Sequence, residues 1–359
     1  MTDAAAPRYA RTASSALRHP APRAEDWIRP CPVDRGGGLW VEPGGFHIDP
    51  VRPVDRAVVT HGHADHARPG HRHVLATSGT LAIMRVRLGH QAGAVFQPLD
   101  YGERLRIGAV DVTLVPAGHV LGSAQVVLDY QGARVVVSGD YKRRPDPTCA
   151  PFEPVPCDVF ITEATFALPV FRHPPDHEEI AKLLHSRALF PERAHLVGAY
   201  ALGKCQRVIA LLRQAGYRAP IWLHGAPLPV CDLYREFGIE LGDLRPAAGA
   251  GRDDLRGGIV MAPPSALADR WSRRLPDPVT AYASGWMLVR QRARQRGVEL
   301  PLVISDHADW DELTQTLLDV GAPEVWVTHG REEALVHWAG TRGIRARNLA
   351  LVGFEEEDG

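Results

Sequence analysis

The sequence predicts an α/β fold built as one sheet-based unit with a functional rim, interrupted by a second α/β unit. Three patterns point there. Short apolar runs end repeatedly at His, Asp or Glu, as strands do when they deliver side chains to one sheet edge. The middle third reads strand, amphipathic helix, strand, which suits an open parallel sheet. The strand-to-polar pattern then returns near the carboxyl end, so both flanks contribute to the first unit.

The elements follow in order. Residues 1–24 carry Arg, Ala, Ser and Pro without an apolar stretch, which predicts a flexible tail rather than a secretory signal. Residues 36–41 and 45–49 read as two short strands around a Pro-Gly turn. Residues 79–89 read as a helix with a glycine stop. Residues 110–115 form a strand leading to Gly118-His119. Residues 124–130 and 133–137 flank Gln131-Gly132, a hairpin signal, and the second strand ends at Gly139-Asp140. The strand 159–162 ends at Glu163. Strands at 194–200 and 220–223 enclose a helix at 203–214, and 257–261 and 279–283 add two more. Residues 302–304 run into Asp306-His307, and 325–328 into His329. The inserted unit is placed at 166–290, between segments 25–165 and 291–359 of the first unit.

With 359 residues and 45% hydrophobic content the chain can bury a sizeable core. Its 41 basic and 42 acidic residues nearly cancel, so any contact with nucleic acid must come from a local basic patch. Five scattered cysteines without a CxxC predict reduced, mostly buried thiols and a cytoplasmic protein. No stretch has the length of a membrane helix, so no membrane partner is expected.

The run Thr60-His61-Gly62-His63-Ala64-Asp65-His66 carries the chemistry. No packed core needs three histidines and an aspartate in six positions. His61 and His63 can chelate one ion, and Asp65 and His66 can turn to a second. The rim residues together are His61, His63, Asp65, His66, His119, Asp140 and His329. Imidazole and carboxylate without thiolate suit two divalent metal ions, zinc or manganese, with iron a further candidate. Asp140 is the natural bridging carboxylate. Asp49 is expected behind the ligands, orienting their loop; a plain turn aspartate is the competing reading. Lys142, Arg143 and Arg144 follow Asp140 directly and can reach a strand's phosphates, unless they are an ordinary solvated charge run.

HxHxDH, a later Gly-His and a later Ser-Gly-Asp resemble the metallo-β-lactamase fold. That implies an αββα sandwich. Glu163, His307 and His329 stand where the β-CASP nucleases of that superfamily carry three extra motifs. The run Ala201-Leu202-Gly203-Lys204-Cys205-Gln206-Arg207 and Ser284-Gly285 are similar to that branch's inserted-domain signatures. Gly139-Asp140-Tyr141-Lys142-Arg143, Ala262-Pro263-Pro264-Ser265 and Ala283-Ser284-Gly285-Trp286 look like the bacterial ligase-associated DNA exonucleases.

The resemblance implies a nuclease in which Asp65 belongs to the catalytic metal set. Hydroxide held between two cations attacks phosphorus, His307 acts as general acid, and Glu163 holds that imidazole charged. It implies single-stranded or end-frayed DNA as substrate, and a DNA ligase and helicase as partners in repair. Lys204 and Arg207 are expected on the wall opposite the metals, and Ser284-Gly285 to offer a backbone amide to phosphate. RNA processing is the alternative. His329 leans that way, because the family's eukaryotic DNA-directed members carry Val at its position. A small-molecule hydrolase on the same metal core is a third reading; Glu163, His307 and the insert argue against it.

Overall fold

The computed structural model describes residues 21–330 and 332–351. The expected tail therefore falls outside the described residues except for 21–24, where Ala24 is buried and opens a short turn at Ala24–Asp26.

Strands β1 (Ile28–Pro30), β2 (Leu39–Val41), β3 (Phe46–Ile48), β4 (Arg56–Val58), β5 (His73–Ala76) and β6 (Val95–Pro98) form a first sheet in sequence order, with α1 (Ser78–Leu88) crossing between β5 and β6. A second sheet starts with β7 (Arg104–Ile107), β8 (Val110–Pro116), β9 (Ala124–Tyr130), β10 (Ala133–Val137) and β11 (Val159–Ala164). The chain then builds a third sheet. That sheet and its helices run α2 (Asp176–Leu189), β12 (His195–Gly198), α3 (Lys204–Gln214), β13 (Ile221–Leu223), α4 (Leu228–Glu236), β14 (Leu244–Pro246), β15 (Ile259–Ala262), β16 (Val279–Ala283), α5 (Arg290–Gln295) and β17 (Leu300–Leu302) along the chain. After α6 (Trp310–Val320), β18 (Glu324–Gly330), α7 (Glu332–Gly340) and β19 (Arg345–Asn348) return to the second sheet, whose order is β19-β18-β11-β10-β9-β8-β7.

Period-2 alternation decides the layering. In β10, Val135 and Val137 face the first sheet and pack with Leu39, Phe46 and Ile48, while Val136 faces α6 and α7. On the far side of the first sheet, Val74 and Ala76 pack under Leu81 and Met84 of α1. The layers run helix, sheet, sheet, helix: a metallo-β-lactamase αββα sandwich. Each fully buried Val or Leu of this double core contributes about 1.5–3 kcal/mol.

The third sheet is all parallel, in the order β14-β13-β15-β12-β16-β17. β12 and β13, sequential around α3, are parallel as expected but not adjacent, because β15 inserts between them. A second difference concerns residues 302–304. The strand lies at 300–302 and pairs with β16 in the third sheet, not with the flanking unit. The chain thus reaches His307 from the insert's sheet.

Candidate metal centre

The loop after β4 is pinned from behind. Asp49, at φ 45° just past β3, accepts the Thr60 N–H at 2.8 Å and the Thr60 hydroxyl at 2.6 Å, and its second oxygen meets His66 Nδ1 at 2.8 Å. Gly62 has to be small: a Cβ there would stand 2.5 Å from Ile83 Cγ2 of α1. Gly118, at φ 75°, lets the chain turn against the Lys142 carbonyl, 2.2 Å from where a Cβ would sit. His119 follows and is aimed by a hydrogen bond from Nδ1 to the Asp306 carbonyl oxygen, 2.8 Å.

These supports bring the rim residues together. Ligand atoms of His61, His63, His119 and Asp140 lie within 4.8 Å of one another, and so do those of His61, Asp65 and His66. Asp140 Oδ2 sits between the two groups, 3.4 Å from His61 Nε2, 3.5 Å from His66 Nε2 and 3.8 Å from His119 Nε2. Donors about 2.0–2.2 Å from a shared tetrahedral ion stand about 3.3–3.6 Å apart, so the spacing suits one. His61 Nε2 and Asp65 Oδ1 are buried without a hydrogen-bond partner among the described residues, a cost that a cation would remove. The residues fit divalent metal. His329, at φ 56° on the end of β18, packs its ring 5.5 Å from His66 but joins none of these groups among the described residues.

Burial sets the charges. It pushes His61 and His119 well below the ordinary histidine value, aided by neighbouring imidazoles, and takes His329 down to about 3. Neutral rings are what metal ligation requires. Burial also raises the Asp140 carboxyl, to about 7, with His66 opposing and Glu163 adding to the rise. Burial opposes charge on His66 too, but Asp65, Asp140 and Asp49 outweigh it and raise that ring well above the usual value.

A second constellation stands beside the first. Burial opposes charge on His307, yet Glu163 outweighs it, with Asp140 and Asp306 adding, and the ring is held up at about 10. Its Nδ1 lies 2.9 Å from Glu163 Oε2, and its ring centroid 4.7 Å from His119. Glu163 is fully buried and fixed by the Tyr141 N–H at 2.8 Å and the Thr165 hydroxyl at 2.6 Å. Sequence reading missed Asp306 and Thr165. Asp306 directly precedes His307, and that adjacency was the available signal; Thr165 carried none.

The expected phosphate contacts are corrected. Lys142 is fully buried, donating to the His307 carbonyl at 3.1 Å with Glu312 at 3.6 Å. Arg143 turns away to Asp319 (2.6 Å), and Arg144 to Asp309 (2.6 Å). Lys204 is buried against Asp306, and Arg207 between Asp146 (2.9 Å) and Asp176 (2.6 Å). Ser284 is buried, its hydroxyl accepting from the Trp286 N–H at 3.3 Å, and Gly285 lies under Phe166. Carboxylates distant in sequence take Lys142, Lys204 and Arg207 out of solvent and hold Arg143 and Arg144 half-buried.

Two stacked sheets with a buried His/Asp pocket at one rim define a metallo-β-lactamase type of domain. Residues 31–191 match the family described as beta-lactamase superfamily domain. It is 29% identical over 322 residues to a protein of Opitutus terrae named probable DNA ligase, covering 88% of this chain and 31% of that one. The chain therefore spans about a third of that relative. It is 27% identical over 396 residues to a ribonuclease of Thermus thermophilus, covering 87% of this chain and 89% of that one. A solved structure of a protein of unknown function from Enterococcus faecalis shares the fold, with TM-score 0.51, 11% identity, and 76% and 74% of the two chains covered. Among the described residues no helix is long and apolar enough to cross a membrane.

Proposed function

We propose that this chain is a metal-dependent nuclease, a DNA exonuclease that trims ends for repair alongside a DNA ligase. The observation that carries the reading is the buried Glu163–His307 pair, 2.9 Å apart, at the edge of the His/Asp pocket. A pocket built only to hydrolyse small neutral substrates has no need of a charged imidazole beside its ligands. A phosphodiester does, because its leaving sugar oxygen must gain a proton.

His61, His63, His119 and Asp140 would hold one cation, and Asp65, His66 and Asp140 the other, with His329 beside them. When bound, the pair supplies an activated water and a clamp on the phosphate oxygens. The rest falls to the protein. Asp49 keeps His66 turned inward, and the Asp306 carbonyl does the same for His119. Glu163 accepts from His307 Nδ1, which leaves the Nε2 proton for the leaving oxygen.

DNA is favoured because the Opitutus relative, named a probable DNA ligase, contains a segment similar to nearly this whole chain. The ribonuclease name of the Thermus relative, together with His329, supports RNA as the second reading. The test is cleavage of end-labelled single-stranded DNA, duplex DNA and RNA by metal-loaded protein. Wild type is expected to shorten DNA from an end, Asp65→Ala to abolish cleavage, and His307→Ala to slow it by about 100-fold or more. RNA degraded while DNA stays whole would promote the second reading. Equal activity of wild type and Asp65→Ala would remove the metal assignment.

A further inference from the structure

A basic surface lies outside this pocket, beside the third sheet. The turn Arg270–Arg274 and helix α5 present Arg270, Arg273, Arg274, Arg290 and Arg294 to solvent. Among the described residues none of these five guanidiniums has a carboxylate partner. The nearby acids are engaged elsewhere: Asp269 caps the turn at the Arg270 N–H, and Asp277 pairs with Arg193 at 3.1 Å. In a chain of net charge −1, that is a strong local excess.

Its location is as telling as its charge. Every strand of the third sheet is parallel, so the carboxyl ends share one rim. That rim supplies His307 after β17 and, after β12, the Leu202 carbonyl 3.3 Å from His63 Nε2. The arginine segments start at that rim and run away from it: Pro276 and Gly297, just past Arg274 and Arg294, accept hydrogen bonds from Ala194 and Thr280 at the amino ends of β12 and β16. Trp271 packs edge-on to His224, which follows β13, at 4.8 Å. Arg292 lies 3.9 Å over Trp286, which follows β16. Trp286 touches Phe166 at 4.8 Å, and Phe166 stands 6.2 Å from His307. Leu267 packs on the cluster of Met287 and Ala293, which ties the turn and the helix together.

We propose that this arginine strip binds the phosphate backbone of the nucleic-acid strand beyond the bond being cut. The inference rests on the nuclease reading and extends it with a second contact region. Solvent-facing guanidiniums without carboxylates hold exchangeable anions, and a polyanionic strand releases its own counterions when it replaces them. The planar guanidinium fork suits phosphate oxygens. Open parallel sheets receive ligands at their carboxyl rim. Short substrates occupy the metal pocket alone; long ones reach the strip.

The test compares wild type with the full-length variant carrying Arg→Ala at positions 270, 273, 274, 290 and 294. Binding of a labelled 40-nucleotide and a 6-nucleotide single strand is followed by fluorescence anisotropy against salt, with EDTA present. Cleavage kinetics of both are measured on metal-loaded protein. The variant is expected to lose at least ~30-fold in affinity for the long strand, with a salt slope flatter by about 3, from about 0.7 per phosphate contact. Its KM for the long strand should rise with kcat unchanged, and the short strand should be handled as by wild type. Equal long-strand affinity and slope in the two proteins would overturn the strip, as would equal losses on both lengths. Wild type that binds the long strand through the strip but cuts no nucleic acid would remove the nuclease reading and leave the strip. Wild type that cuts, matched by the variant on both lengths, would do the reverse.

Discussion

Lys204 and Asp306, 102 positions apart, form a buried ion pair directly behind the candidate metal centre. Lys204 opens α3 of the third sheet's layer, and the Asp306 carbonyl aims His119. The insert therefore braces a candidate ligand of the flanking unit. Lys204→Met leaves the Asp306 carboxylate buried without its cation and is expected to cost about 3–5 kcal/mol, read as a lower urea midpoint. A variant as stable as wild type would mean that Asp306 finds another partner or a proton.

Asp49 supports the opposite side of the pocket through Thr60 and His66. Asp49→Asn keeps the shape but weakens the hold on both. Metal affinity, measured by competition with a chromogenic chelator, should fall by about 10–100-fold. Unchanged affinity would reduce Asp49 to a turn residue.

The closeness of Gly62 to Ile83 is a steric prediction. Gly62→Ala is expected to destabilise by about 1–3 kcal/mol as the new methyl pushes into α1, and to weaken metal binding by shifting the neighbouring His61 and His63. Trimming the obstacle in Gly62→Ala/Ile83→Ala should recover part of the metal affinity lost in the single variant, although Ile83→Ala alone costs stability. A double variant with no recovery would place the constraint elsewhere.

A pH dependence follows from His71, which is buried and accepts the Val54 N–H at 3.3 Å. Burial, with His47 adding, holds it down at about 4. As pH falls, the unfolded chain takes up this proton near pH 6.5, well before the folded chain does. Stability should therefore drop between about pH 6.5 and 4 and level off below, by about 3 kcal/mol for this group. His71→Asn keeps an acceptor for Val54 and should remove that part of the slope in urea titrations at pH 7 and pH 4.5. A variant with the wild-type slope would assign the dependence to other histidines.

The clustering was legible in the sequence because the candidate ligands are chemically conspicuous and sit at strand ends. The clustering of His61, His63, Asp65, His66, His119 and Asp140 needed only strands that share a rim. The roles of the cations were not legible. Arg207 is buried by Asp146, 61 positions away, and Lys142 lies against the His307 carbonyl, 165 away. Charge and local spacing cannot report such partners. The insertion of β15 between β12 and β13 is likewise a choice of topology that a β-α-β pattern leaves open. One signal was readable and missed: Asp309 and Glu312 form a capping box that starts α6 right after His307 and so fixes where that loop ends.

The paired-cation centre is tested most directly by anomalous diffraction at the zinc and manganese edges from crystals of metal-loaded protein. The expected result is two peaks, ~3.5–4 Å apart on either side of Asp140, one beside His61, His63 and His119 and the other beside Asp65 and His66. A pocket without a peak, or ions bound only elsewhere on the chain, would contradict it.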